Sequence, residues 1–285
     1  MAKRSKNIST FIGCDNDYDE AKIALFGAPF DSTTSYRPGT RFASSHMRIN
    51  SYGLETYSPY QDKDLEDISI FDCGDLELPF GNTQKALDMI KQEASLLLSD
   101  DKIPLMIGGE HLVTLATVQA TAEKYKDLHV IHFDAHADLR DDYLGEKYSH
   151  ATVMKRIWDI LGDDRIFQFG IRSGCKEEFE TSKKGVYREL FTCHTLSAVV
   201  DSLKDKPIYL TIDLDVLDPS IFPATGTPEA GGIDFNTLMQ AFNILNKLNI
   251  VAADINELSP PYDHSGASTA LACKIVREML FVIAK

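Results

Sequence analysis

Short apolar, β-rich runs recur along this chain with helical stretches between them, and that alternation limits the fold more than any other feature. The runs are KIALFG from Lys22, ISIFDCG from Ile68, IPLMIGG from Ile103, LHVIHF from Leu128, RIFQFG from Arg165, IYLTID from Ile208 and IVAADIN from Ile250, with a weaker one, GVYREL, from Gly185. None has the clean polar and apolar alternation of a strand wetted on one side, so each is expected to be covered on both faces, as in a parallel sheet. Between them, Ala86, Ile90, Ala94 and Leu97 keep helical spacing, as do Leu238, Ala241, Phe242 and Leu245, and Ala272, Ile275, Val276, Met279 and Leu280 near the end. The order predicts an α/β fold with helices on both faces of a large parallel sheet, and in such folds ligands gather at the carboxyl ends of the strands.

A chain of 285 residues can bury most of its surface in one core, so a single domain over 1–285 is expected, with residues 1–20 as an N-terminal extension. The formal net charge of -14 would repel a nucleic-acid backbone or an anionic membrane, leaving metal ions or small cations as the fitting partners. The opening MAKRSKNIST has no apolar run behind its basic residues, and no segment has the length of a membrane span, so a cytoplasmic location is expected. Cys14, Cys73, Cys175, Cys193 and Cys273 are scattered without CxxC spacing, which suits idle thiols in a reducing compartment.

The strand ends carry the chemistry. IPLMIGGEH ends in Gly108, Gly109, Glu110 and His111, LHVIHFDAHAD in Asp134, His136 and Asp138, and IYLTIDLDVLD in Asp213 and Asp215. Residues two apart on an extended chain point the same way, about 6 to 7 Å apart, and local bending can aim them at one centre. Four converging carboxylates would repel unless cations sit among them. Two divalent ions match four Asp charges, and mixed carboxylate and imidazole ligands suit manganese or a similar borderline metal better than calcium. Carboxylates can bridge two ions about 3.5 to 4 Å apart, an arrangement that generates a hydroxide nucleophile. A lone DxD is often only a turn or a cap, and a lone His often a core residue; it is the conjunction at several strand ends that points to a metal site. His129 and His132, on the apolar part of their run, are expected in the core.

The combined motifs resemble the ureohydrolases, the family of arginase and agmatinase, and most closely its bacterial agmatinase members. The resemblance runs from GAPFDSTTSYRPGTRFA at Gly27 through GGEH, FDAHADLR and SHATVMKR to TIDLDVLDPSIFPATGTPEAGG and DINELSPPYD. It implies the arginase and deacetylase type of three-layer α/β/α fold, with about eight parallel strands, and a trimer or hexamer. It implies two Mn2+ ions, one held by His111, Asp134, Asp138 and Asp213 and the other by Asp134, His136, Asp213 and Asp215, with Asp134 and Asp213 bridging. It also implies hydrolysis of a guanidinium group to urea and an amine by a metal-bridging hydroxide. Asp138 would carry a proton to the departing amine, His150 would match the family's proton shuttle, and Glu257 would hold the guanidinium. Gly226, Gly231, Gly232, Pro223 and Pro228 fit an active-site wall after the Asp213 and Asp215 strand end, a plain surface loop being the alternative.

Agmatine is the expected substrate, giving putrescine and urea and placing the chain in polyamine biosynthesis. In arginases, short neutral polar residues usually follow the DAHxD motif, whereas here the loop reads LRDDYLGEKYSH, where Asp141 and Asp142 can attract a distal ammonium. Against this, Arg140 can favour a carboxylate tail such as that of guanidinobutyrate, a plain solvated loop is the alternative for Asp141 and Asp142, and arginine remains a further alternative substrate. A deacetylase-type amide hydrolase and a non-catalytic scaffold are the competing classes; the intact set of ligand types argues against both. One departure from the family pattern, ASSHMR from Ala43 to Arg48, is expected to pack or cap a helix away from the metals.

Overall fold

All eight runs form strands of one sheet in the computed structural model, which describes residues 4–181 and 185–284. In chain order the elements are β1 (Ile23–Gly27), α1 (Ala43–Ser51), the antiparallel pair β2 (Tyr57–Ser58) and β3 (Lys63–Asp64), β4 (Ile70–Asp75), α2 (Thr83–Ser99), β5 (Ile103–Ile107) and α3 (Thr114–Lys124). They continue with β6 (His129–Phe133), α4 (Val153–Leu161), β7 (Ile166–Ile171), α5 (Lys176–Thr181), β8 (Val186–Leu190), α6 (Leu196–Ser202), β9 (Pro207–Asp213), α7 (Phe235–Leu245), β10 (Asn249–Asn256) and α8 (Ala267–Ile283).

The large sheet has the order β4-β1-β5-β10-β9-β6-β7-β8, and each of its pairings is parallel. One face packs on α1, α6, α7 and α8 through residues such as Met47, Val200, Phe242 and Val276. The other packs on α2, α3 and α4 through Ile90, Leu115 and Ile157, completing three layers. Burial on both sides explains the unbroken apolar runs. The weaker run at Gly185 is the edge strand β8, whose exposed Tyr187 and Leu190 break the pattern.

The topology brings distant segments together. The chain passes from β5 to β6 over the places later filled by β9 and β10, then returns from the β8 edge to fill them. The middle of the sheet therefore reads β5-β10-β9-β6, and a crevice opens beyond their carboxyl ends.

At the opposite edge the segment before β1 covers β4. Phe11 and Cys14 are buried, the Phe11 N–H donates to Asp72 at 2.8 Å, and Asp15 bridges to Phe71. The divergent ASSHMR segment opens α1, where buried Arg48 makes two hydrogen bonds to Asp72, at 2.8 and 3.0 Å, and pairs with Asp75. It thus serves the β4 edge, far along the sheet from the crevice.

Candidate metal centre

Each strand end reaches the crevice through a different local device. After β5, Gly108 and Gly109 let the backbone pass where a Cβ would lie 1.8 Å from the Asn256 side chain and 1.9 Å from the Phe30 carbonyl oxygen. A single 3-10 turn, His111–Val113, then leads into α3. The strand β6 stops at Phe133, so the Asp134 to Asp138 comb is not strand. Its backbone stays tied to the β7 side through Ala137 N–H to Ser173 O at 3.0 Å and Arg172 N–H to Ala135 O at 2.7 Å, and Asp138 turns back with φ of 54°. After β9, Asp213 caps the next 3-10 turn by accepting from the Asp215 N–H at 2.8 Å. Glu257 follows β10 with φ of 67° and accepts from the His111 N–H at 2.8 Å.

These residues form one anionic well. Asp134, Asp138, Asp213 and Asp215 are all buried, at 0, 7, 3 and 1% exposure. His111 Nδ1 lies 3.0 Å from Asp134 Oδ2, 3.3 Å from Asp138 Oδ2 and 3.4 Å from Asp213 Oδ2. His136 Nδ1 lies 2.9 Å from Asp215 Oδ2 and 3.5 Å from Asp134 Oδ1. Asp134 is thus common to both histidines. Yet His111 Nδ1 and Asp215 Oδ2 are buried with no hydrogen-bond partner, close to opposing atoms but not aimed along a shared proton. Ligands that converge on a common ion have that disposition, and the imidazole and carboxylate donor set suits a borderline divalent metal.

The electrostatics agree. Burial, then Asp134, push the Asp138 carboxyl up to about 7, against the opposing pull of nearby His111. Burial, then Asp215 and Asp134, push Asp213 well above the carboxylate range. Burial opposes protonation of His111 and His136, but the facing carboxylates outweigh it and raise both. In the absence of a metal, protons take the place of cations. A ligand must shed its proton to bind, so manganese titrated into the metal-free protein near pH 7 is expected to release protons. Its affinity should weaken as pH falls, by about tenfold per pH unit for each proton released. Calorimetry in buffers of different ionisation enthalpy measures this; a pH-independent affinity between 6 and 8 would contradict it.

His150 approaches the well from the far wall. Its Nδ1 meets the Thr33 carbonyl at 2.9 Å, so Nδ1 carries the proton, and Nε2 meets Ser35 Oγ at 3.1 Å. Burial, then the nearby histidines, lower its pKa to about 4 against the Thr33 bond. The ring therefore stands neutral. Thr33 also donates from N–H and Oγ to buried Glu110, which explains why GGEH and DSTTS matter together. Reading the sequence by strand ends missed Thr33 and Ser35, which lie in a loop; the polar run DSTTS was the available signal.

Two expectations change in three dimensions. Asp141 and Asp142 do not line the cavity of about 250 Å³ above the well; Asp141 is an exposed loop residue near Lys155 and Arg156, and Asp142 accepts from the Gly145 N–H. Arg140, Tyr143, Glu178 and Thr227 line it instead, with His150 and Glu257. His132 is fully buried as expected, but it is more than filler, because its Nε2 contacts Asp134 Oδ2 at 2.8 Å. His129 lies at the other end of β6, near Asp127 and Arg165.

A three-layer α/β/α fold with a buried His and Asp well at the carboxyl ends of its central strands defines a metal-binding enzyme scaffold. The chain belongs to the arginase family, whose pattern it matches over residues 21–282. It is 47% identical to the agmatinase of Bacillus cereus over 274 residues, 95% of this chain and 94% of that protein. A crystal structure of a Clostridium difficile protein provisionally named an agmatinase superposes with a TM-score of 0.92 at 56% identity, covering 94% of this chain and 99% of that one. The agmatine ureohydrolase of Thermoplasma volcanium superposes with a TM-score of 0.88 at 34% identity, covering 97% and 94%.

Proposed function

We propose that this protein is an agmatinase-like ureohydrolase that uses two manganese ions to hydrolyse agmatine to urea and putrescine. The observation that carries the reading is the coincidence, in one cavity, of the buried Asp and His well with the carboxylate of Glu257. His111, Asp134, Asp138 and Asp213 would hold one ion, and Asp134, His136, Asp213 and Asp215 the other. When bound, the metal pair supplies Lewis acidity and deprotonates water near neutral pH.

The remaining work falls to side chains. Glu257, its Oε1 anchored by the His111 N–H, turns its charge to the guanidinium and orients the planar group. Water oxygen adds to the guanidinium carbon, and the bond from that carbon to the alkyl nitrogen breaks. Asp138 takes one proton from the water and returns it to that nitrogen, and the proton left on the carbon-bound oxygen passes to the freed amine, so that urea and an alkylammonium separate. His150, neutral and with Nε2 toward the cavity, relays a proton between the departing amine and solvent.

The cavity wall favours a cationic tail. Arg140 lies 3.6 Å from buried Glu178 and stacks over Tyr143 at 4.8 Å, so its charge is offset rather than presented to a carboxylate. With manganese added, urea release should be fastest from agmatine and at least tenfold slower, as kcat/KM, from guanidinobutyrate or arginine, a difference of about 1.4 kcal/mol. No urea from any of the three would sink the enzyme reading; preference for guanidinobutyrate would move only the substrate. The same reading includes a cytoplasmic homo-oligomer with a place in polyamine biosynthesis. Among the described residues no helix is long and apolar enough to cross a membrane.

A further inference from the structure

One transverse row of side chains runs beneath the well. Asp254, Thr211, His132, Gln168 and Arg188 are register partners across β10, β9, β6, β7 and β8. The first four are fully buried. A continuous polar row inside a sheet whose buried residues are mostly apolar needs a reason, because each member must be satisfied away from water.

The bonding along the row has one consistent solution. Arginine can only donate, so Gln168 Oε1 must be the atom that accepts from Arg188 Nε at 2.9 Å. That places the amide nitrogen on the other side, where it donates to the Ala137 carbonyl at 2.8 Å and to His132 Nδ1 at 3.1 Å. His132 Nδ1 therefore accepts, and the ring proton sits on Nε2, which donates to Asp134 Oδ2 at 2.8 Å. From the other end, Thr211 Oγ1 gives its proton to Asp254 Oδ1 at 2.6 Å and so accepts from His111 Nε2 at 2.9 Å. Asp254 is held in turn by Tyr209 OH and by Asn256 Nδ2 at 2.7 Å. His111 Nδ1 is thereby turned to the carboxylates, the nitrogen whose lone pair becomes available to a metal once its proton is shed.

We infer that this row positions the metal site from below: Gln168, oriented by Arg188, locks His132 as an Nε2–H donor that holds Asp134, while Thr211 and Asp254 lock His111 with Nδ1 turned to the metal. His132 is thereby a positioning residue and not a ligand, although its Nε2 lies close enough to His111 and Asp134 to be grouped with them. Removing outer partners of this kind costs about 10 to 100-fold in metal affinity. The inference rests on the proposed metal site for its consequence, but its tautomer assignment can be read without metal.

Long-range proton–nitrogen NMR of the full chain, metal-free and zinc-loaded, reads the ring state of His132. The native protein is expected to show a single Nε2–H form, and Gln168→Leu a mixture or the Nδ1–H form, with manganese bound at least tenfold more weakly. Arg188→Met, at a less buried position, should move both readouts in the same direction by a smaller amount and serves if Gln168→Leu does not fold. Nδ1–H on native His132 would overturn the inference, as would an unchanged ring state together with manganese affinity within twofold in the variant that folds. If native protein with the expected ring state bound no manganese, the metal reading would fail while the tautomer assignment stood.

Discussion

Asp134→Ala is expected to lose metal and turnover together. Asp134 is the one carboxylate here within 3.5 Å of both His111 and His136, so its loss opens both halves of the well. Manganese content should fall from about two ions per chain to below one. The Lewis-acid contribution is worth several kcal/mol, so kcat should fall by about a thousandfold or more. Asp213→Ala should behave alike, because Asp213 faces His111 with one oxygen and fixes the Asp215 N–H with the other. Metal analysis after dialysis, paired with urea release, is the measurement. Two ions retained in Asp134→Ala would show that it does not bridge.

Glu257→Gln should separate substrate binding from metal binding. The amide oxygen can still accept from the His111 N–H, so the loop geometry and the metals survive the change. What disappears is the buried charge that, on the proposed function, would meet the guanidinium. Burial, then Glu110, push the Glu257 carboxyl well above its ordinary range, opposed by the His111 N–H bond, so the free enzyme gains most from a cation at that place. Leaving one partner of such a pair uncompensated costs about 2 to 5 kcal/mol, or a fall in kcat/KM of roughly 30-fold or more. Most of the loss should appear in KM for agmatine, with manganese content unchanged. If metal were lost as in Asp134→Ala, Glu257 would be a support of the metal site and not the guanidinium anchor.

Much of the fold was legible because burial leaves a trace in composition. Seven doubly covered strands read as apolar runs, and the eighth read weakly because β8 is an edge. The acidic and histidine residues at strand ends were legible for the converse reason: charge placed at the end of an apolar run has no structural excuse. Two things resisted. The comb at Asp134 looked like the alternation of a strand, but β6 stops at Phe133 and the left-handed turn at Asp138 does the aiming. Asp141 and Asp142 looked placed for an ammonium because they follow the comb, yet the loop carries them outside the cavity that Glu178 lines, 40 residues from Asp138 in sequence but beside it in space.

His132 marks the boundary most clearly. By its run it is a core residue, and it is buried, but what it does depends on Gln168 and Arg188 across two strand pairings. The sequence alone determined which strands exist, which residue types end them, and that such a cluster of acids requires cations, because hydrophobic periodicity and charge are properties of neighbours along the chain. The tertiary structure decided which carboxylate is shared, which histidine nitrogen faces the carboxylates, and which acid faces the cavity. Those depend on the order β5-β10-β9-β6 and on hydrogen bonds between groups 36 to 146 positions apart, whose geometry no local pattern encodes.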